Sequence, residues 1–139
     1  MKNIKILLSI GMALAISFGT NNIASAHQDP MFVTITSDGC ATCQKLKPTV
    51  DDLENEYGGQ ITFITLDVSS RNLLEEAKQI AENNGISNFF DNNKSAVPMV
   101  GILCPGGKVE KTFLGETRKE VYEQALNKLL EDTNQLCSL

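Results

Sequence analysis

Apolar and β-branched residues recur along this chain in two rhythms, and the change from one to the other marks its elements. Phe32-Val33-Thr34-Ile35-Thr36 is a β-branched and aromatic run, which predicts a strand. From Ala41 to Tyr57 the spacing changes. Leu46, Val50, Leu53 and Tyr57 fall three or four residues apart, the period of one helix face, and Gly58-Gly59 stops the pattern. Ile61 to Val68 is almost continuously apolar or β-branched, as in a strand covered on both faces. Arg71 to Asn84 predicts a second helix with Leu73, Leu74, Ala77, Ile80 and Ala81 inward, and Gly85 as its stop. Pro98 opens a third strand, Met99 to Leu103, and Pro105-Gly106-Gly107-Lys108 makes a hairpin turn into a return strand, Val109 to Leu114. Thr117 to Leu130 predicts the last helix, packed through Val121, Ala125, Leu126, Leu129 and Leu130.

The resulting order, β-α-β-α-β-β-α, belongs to the α/β class. The first two strands, joined through a helix, are expected to run parallel, and the last two to form an antiparallel hairpin. This predicts a mixed central β-sheet flanked by helices on both faces.

Residues 1–26 follow neither rhythm. Lys2 and Lys5 give a positive start, Ile6 to Phe18 a short apolar run, and Ala24-Ser25-Ala26 a small-x-small exit, which together mark a secretory signal peptide. The run is short for a membrane span, which takes about 20 apolar residues; an uncleaved N-terminal anchor is the alternative. Cleavage near Ala26 leaves residues 27–139 as a single domain, exported to the periplasm or secreted. Loss of Lys2 and Lys5 takes the formal charge from −5 to −7. So acidic a domain argues against nucleic acid or an anionic membrane surface as partner. Its length suffices to fold alone on one core, and a monomer is expected.

All four cysteines, Cys40, Cys43, Cys104 and Cys137, lie beyond the signal segment, and export implies a compartment where disulfides persist. Cys40 and Cys43 form a Cys-x-x-Cys motif at the junction of a strand and a helix. The unpaired N–H groups and positive dipole end of a helix N-terminus stabilise a thiolate, which makes a cysteine there nucleophilic near neutral pH. Cys40 is expected to be exposed and to attack. Cys43, one turn further in, is expected to resolve the mixed disulfide. A stable structural disulfide and half of a metal site are the competing readings. A zinc site wants four ligands, and the chain offers one such pair and one histidine, His27, so no metal is assigned.

Cys40-Ala41-Thr42-Cys43-Gln44-Lys45-Leu46-Lys47-Pro48 resembles the active-site helix of the thioredoxin family, with the helix-kinking Pro48 five residues after the second cysteine. The resemblance continues through Ile61 to Val68, resumes at Val97-Pro98, and ends at the hairpin turn and Gly115, spanning roughly Phe32 to Leu130. It implies a thioredoxin-like fold and a cis peptide before Pro98, whose neighbouring Val97 backbone would bind an extended substrate segment by strand addition. Other positions depart from the family. Gly39 stands where Trp is usual, and Ala41-Thr42 replace Gly-Pro. Thr34 falls on the place of the buried acid that serves the second cysteine, and Thr65 on that of a lysine.

Since Pro98 belongs at the active-site end, Cys104 falls at the far end of its strand, and the last helix carries Cys137 back to the same side. A structural Cys104–Cys137 disulfide is therefore expected, with two free thiols or an intermolecular link as the alternatives. Phe89 and Phe90, in an unusually long connection from Ile86 to Val97, are expected to pack that loop onto the core rather than to line a substrate groove. The function expected is thiol-disulfide exchange on protein disulfides outside the cytoplasm. It would need no cofactor beyond the dithiol and would be served by a redox partner. The competing reading is a binding or metal-carrying module with little exchange activity.

Overall fold

The structure is a computed structural model that describes residues 29–138; the signal-peptide reading and His27 lie outside the described residues. Four strands form one sheet: β1 (Met31–Thr36), β2 (Thr62–Asp67), β3 (Met99–Leu103) and β4 (Val109–Leu114). Among the described residues five helices accompany them: α1 (Ala41–Tyr57), α2 (Arg71–Asn83), α3 (Ser87–Asn93), α4 (Lys119–Glu131) and α5 (Thr133–Leu136). The spatial order of the strands is β2-β1-β3-β4. β1 pairs parallel with β2 and antiparallel with β3, and β3 pairs antiparallel with β4. The sheet is mixed, as its connections require: a helix links the parallel pair and a tight turn links the hairpin.

Alternation along β1 divides the core in two. Met31, Val33 and Ile35 face one side with Ile64, Leu66, Met99 and Leu103, and there they meet Ala77 and Ala81 of α2 and Phe89 and Phe90 of α3. Phe32 faces the other side with Val100 and Ile102, and there it meets Leu46, Leu53 and Tyr57 of α1 and Tyr122, Leu126 and Leu129 of α4. Phe32 stacks on Phe63 at 5.0 Å and meets Tyr122 edge-on at 5.4 Å, so one aromatic cluster joins sheet to α4.

Four elements differ from the sequence expectation, among them the short helix α5, which the pattern did not predict. β2 is an edge strand, covered on the α2 face and only in part on the other, where Phe63 packs against Phe32. Ile64 and Leu66 are buried, but Thr65 on the opposite face is exposed. The last helix begins at Lys119, because the Glu116 carboxylate takes the Thr117 and Arg118 backbone N–H groups at 2.9 Å each. The connection from Ile86 to Val97 contains the helix α3, whose Phe89 and Phe90 are both buried.

Candidate active site

The site begins where β1 ends. Cys40 is the N-cap of α1, in extended conformation (φ −98°, ψ 107°), and its Sγ accepts the Cys43 N–H at 3.1 Å. Cap side chains normally use oxygen for this bond; here the sulfur takes the place, aimed at the positive end of the helix. Cys40 and Cys43 are joined as a disulfide, with Cα atoms 5.2 Å apart. Cys40 is half-buried and Cys43 is 5% exposed. A partner sulfur therefore reaches Cys40 more readily than Cys43. The loop before the helix is braced: Cys40 N–H donates to the Ser37 carbonyl at 3.1 Å, and Asp38 N–H to Ser69 Oγ at 2.8 Å.

Val97 and Pro98 lie at the same end of the sheet, joined by a cis peptide. The antiparallel register sets Ile35 opposite Met99, so the chain enters β3 beside the point where it leaves β1 for Cys40. Pro98 is buried, and its carbonyl accepts the Gly115 N–H at 2.9 Å. Leu114, just before that glycine, is 65% exposed. One end of the molecule thus gathers the disulfide, the Val97–Pro98 turn and an exposed apolar side chain.

Under the first turns of α1 the sheet face changes character. Nearer the middle of the strands it is apolar, at Phe32 and Phe63. Toward the disulfide it carries Thr34, Thr36, Thr65 and Asp67, with Thr34 opposite Thr65 and Thr36 opposite Asp67. These four residues and Cys43 line an open cavity of about 260 Å³. Thr34 and Thr65 are thus neighbours in that cavity. Asp67, half-buried, escaped the sequence reading. Its signal was the i, i+2 spacing from Thr65, which places it on the same face.

Cys104 and Cys137 lie at the opposite end and are also joined, with Cα atoms 5.4 Å apart. Cys104 follows β3 and is fully buried; Cys137 caps α5. Lys108, in the hairpin turn, donates to the carbonyls of Leu136 and Ser138 at 3.2 and 3.3 Å, so a disulfide and a cation hold the same short helix.

Residues 17–128 match the family model described as thioredoxin, most of the chain. The chain belongs to the thioredoxin family. Among curated relatives, it is 23% identical over 109 residues to a thiol:disulfide interchange protein, TxlA, of Synechococcus elongatus, covering 78% of this chain and 51% of that protein. It is 33% identical over 43 residues to thioredoxin C-2 of Corynebacterium nephridii, covering 31% of this chain and 40% of that one. The chain thus spans about half the length of these thioredoxin relatives or less. A solved structure titled as a thioredoxin-like protein in the oxidised form superposes with a TM-score of 0.56 at 14% identity, covering 78% of this chain and 82% of the other. That likeness extends to the fold: a mixed four-stranded sheet flanked by helices.

Proposed function

We propose that this thioredoxin-family chain is a thiol-disulfide oxidoreductase that acts on protein disulfides outside the cytoplasm. The observation that carries the reading is the unequal placement of two bonded sulfurs at one helix N-terminus. Cys40, in the cap position and half-buried, is suited to attack; Cys43, 5% exposed, is suited to resolve.

In the reducing direction the Cys40 thiolate attacks a substrate disulfide. A mixed disulfide forms and one substrate sulfur leaves as a thiolate. Cys43 then attacks the Cys40 sulfur, the second substrate sulfur leaves, and the Cys40–Cys43 bond closes. The substrate gains two electrons and the dithiol loses two. The helix N-terminus favours the thiolate form of Cys40. The Val97 backbone beside cis-Pro98 would hold an extended substrate segment by strand addition, with Leu114 offering apolar contact at the rim. The chemistry draws on no cofactor beyond the dithiol. The cycle needs a redox partner, an electron donor if the protein reduces substrates and an oxidant if it oxidises them.

The exported location rests on the N-terminal pattern of Lys2, Lys5, the apolar run and Ala24-Ser25-Ala26. The intact-mass spectrum of protein recovered from the extracytoplasmic fraction is expected to begin at His27. For the activity, a Cys43→Ser variant is expected to accumulate mixed disulfides with proteins, and a Cys40→Ser variant to accumulate none. Equal trapping by both, or by neither, overturns the exchange reading. The reduction potential of the pair then assigns direction: near about −270 mV for a reductant, near about −120 mV for a disulfide donor.

A further inference from the structure

Cys40 keeps its sulfur on the Cys43 N–H only while it stays in the cap position of α1. Ser37, Asp38 and Gly39 alone carry the chain there from the end of β1. The Cys40 N–H closes this segment as a turn on the Ser37 carbonyl at 3.1 Å. A four-residue turn with one internal bond can still flip its middle peptide, because two turn types share that bond. Gly39 resists such a change little: glycine is conformationally permissive, and a Cβ there would meet nothing within 4 Å.

Both peptide groups that flank the Asp38 Cα are held from outside the turn. Parallel pairing of β1 and β2 ends with the Val68 N–H donating to the Thr36 carbonyl at 2.9 Å. The next rung of such a ladder would use the Asp38 N–H, but here the chains part toward α1 and α2. The Ser69 hydroxyl oxygen takes that N–H instead, at 2.8 Å. Its own hydrogen goes to Asp67 Oδ1, which also accepts the Ser69 N–H at 2.8 Å. An ionised carboxylate accepts and never donates, so Asp67 turns the Ser69 lone pairs toward Asp38. The middle peptide of the turn is held by the Asp38 carbonyl, which accepts from Gln44 Nε2 at 3.1 Å. Ser69 thus ties the turn to the sheet, and Gln44 ties it to α1. The adjacent Ser70 serves the other helix, accepting the Leu73 N–H at 3.2 Å as the cap of α2.

We infer that Ser69, oriented by Asp67, and Gln44 are positioning residues for Cys40: they lock the turn that keeps the attacking sulfur at the helix N-terminus. The inference rests on the exchange reading above and deepens it. In the reduced protein the helix end stabilises the Cys40 thiolate only if the sulfur stays beside it, since the effect falls off within the first turn. A turn released from Ser69 and Gln44 lets the sulfur move off that end, and the thiol then ionises less readily. The charged groups at this site are Asp38 in the turn, Lys47 and Asp51 on α1, and Asp67 on β2. Replacing Ser69 or Gln44 alters none of them, so a change in the ionisation of Cys40 reports its placement and not a lost charge.

The test is alkylation of the reduced full chain by iodoacetamide over a range of pH, read at each cysteine by peptide mass spectrometry. The thiolate displaces iodide and forms a carbon–sulfur bond, so the rate at each site follows its ionised fraction. Below the pH at which Cys40 ionises, Ser69→Ala is expected to slow its alkylation about threefold, and Ser69→Ala with Gln44→Ala about tenfold. The curves are expected to converge at high pH, where the thiol is ionised in every variant, and Ser69→Thr, which keeps the hydroxyl, is expected to restore the profile. An unchanged Cys40 profile in the double variant overturns the proposal, even beside a lower urea midpoint, because the contacts then serve stability alone. Alkylation of Cys43 ahead of Cys40 in the unaltered protein instead overturns the exchange reading itself.

Discussion

Gly101→Ala places a methyl group where the structure has an aromatic ring. A Cβ on Gly101 stands 2.5 and 2.6 Å from Cε2 and Cζ of Phe89 and 2.8 Å from Cδ1 of Leu103. Carbon atoms in contact rest about 3.5–4.0 Å apart, so the ring must retreat by about 1 Å. It has little room to do so: Phe89 is 2% exposed, within a cluster of Met31, Ile86, Phe90 and Leu103. Overpacking of this kind costs about 1–3 kcal/mol. Against it stands the lower chain entropy of alanine in the unfolded state, about 0.4–1 kcal/mol in favour. The net expectation is destabilisation by about 1–2 kcal/mol, seen as a lower urea midpoint of the oxidised domain with an unchanged slope. In a Phe89→Ala background the ring is gone and the Leu103 side chain, 2.8 Å away, can turn into the space it leaves, so Gly101→Ala is expected to be neutral or stabilising. The coupling between the two changes is then about 1.5–3 kcal/mol. Equal destabilisation in both backgrounds would refute the reasoning, because the cost would then lie in the strand and not against the ring.

Two further expectations concern the two ends of the molecule. Cys137→Ala opens a loop whose ends are 33 residues apart, which on chain-entropy grounds removes about 4 kcal/mol; a loss below about 1 kcal/mol in urea unfolding would show that Lys108 and packing alone hold α5. At the other end, the Glu116 carboxylate is held well below its ordinary 4.5, at about 2, first by its hydrogen bond to the Arg118 guanidinium and then by the Arg118 backbone N–H. A folded-state pKa below the unfolded one stabilises above the unfolded value, and that contribution is lost as pH falls from about 4.5 toward 2. Glu116→Gln keeps an acceptor for the helix start but removes the titration. Its unfolding midpoint is therefore expected to change less than the parent's across that window, and parallel curves would refute the assignment.

The same physics explains which parts of this fold were legible in the sequence. α1 was legible because Leu46, Leu53 and Tyr57 are buried at helical spacing, so local pattern and tertiary burial agree. α3 was not. Ser-Asn-Phe-Phe-Asp-Asn-Asn has no side-chain cap and is made of weak helix formers, with its two apolar residues adjacent rather than a turn apart. What makes it helical is the core itself, which accepts Phe89 against Gly101 and Phe90 beside it. β2 misled for a related reason. An apolar or β-branched run identifies a strand but not how far the helix above it reaches, and α1 covers Phe63 while leaving Thr65 exposed.

The cysteine pair follows from a local motif and a local cap, so it could be placed at α1 from sequence. The cavity behind it could not, because it depends on register between two strands separated by the whole of α1. A shift of one residue in that parallel pairing would turn Thr65 and Asp67 to the other face and set Ile64 and Leu66 beneath α1. The observed register sets Thr34 opposite Thr65 and Thr36 opposite Asp67. It is held by burial of Ile64 and Leu66 against α2 and of Phe32 and Phe63 against each other. The apolar contacts of both faces therefore fix the position of this polar stripe. The residues that share the cavity with Cys43 are thus set by packing contacts made elsewhere in the sheet.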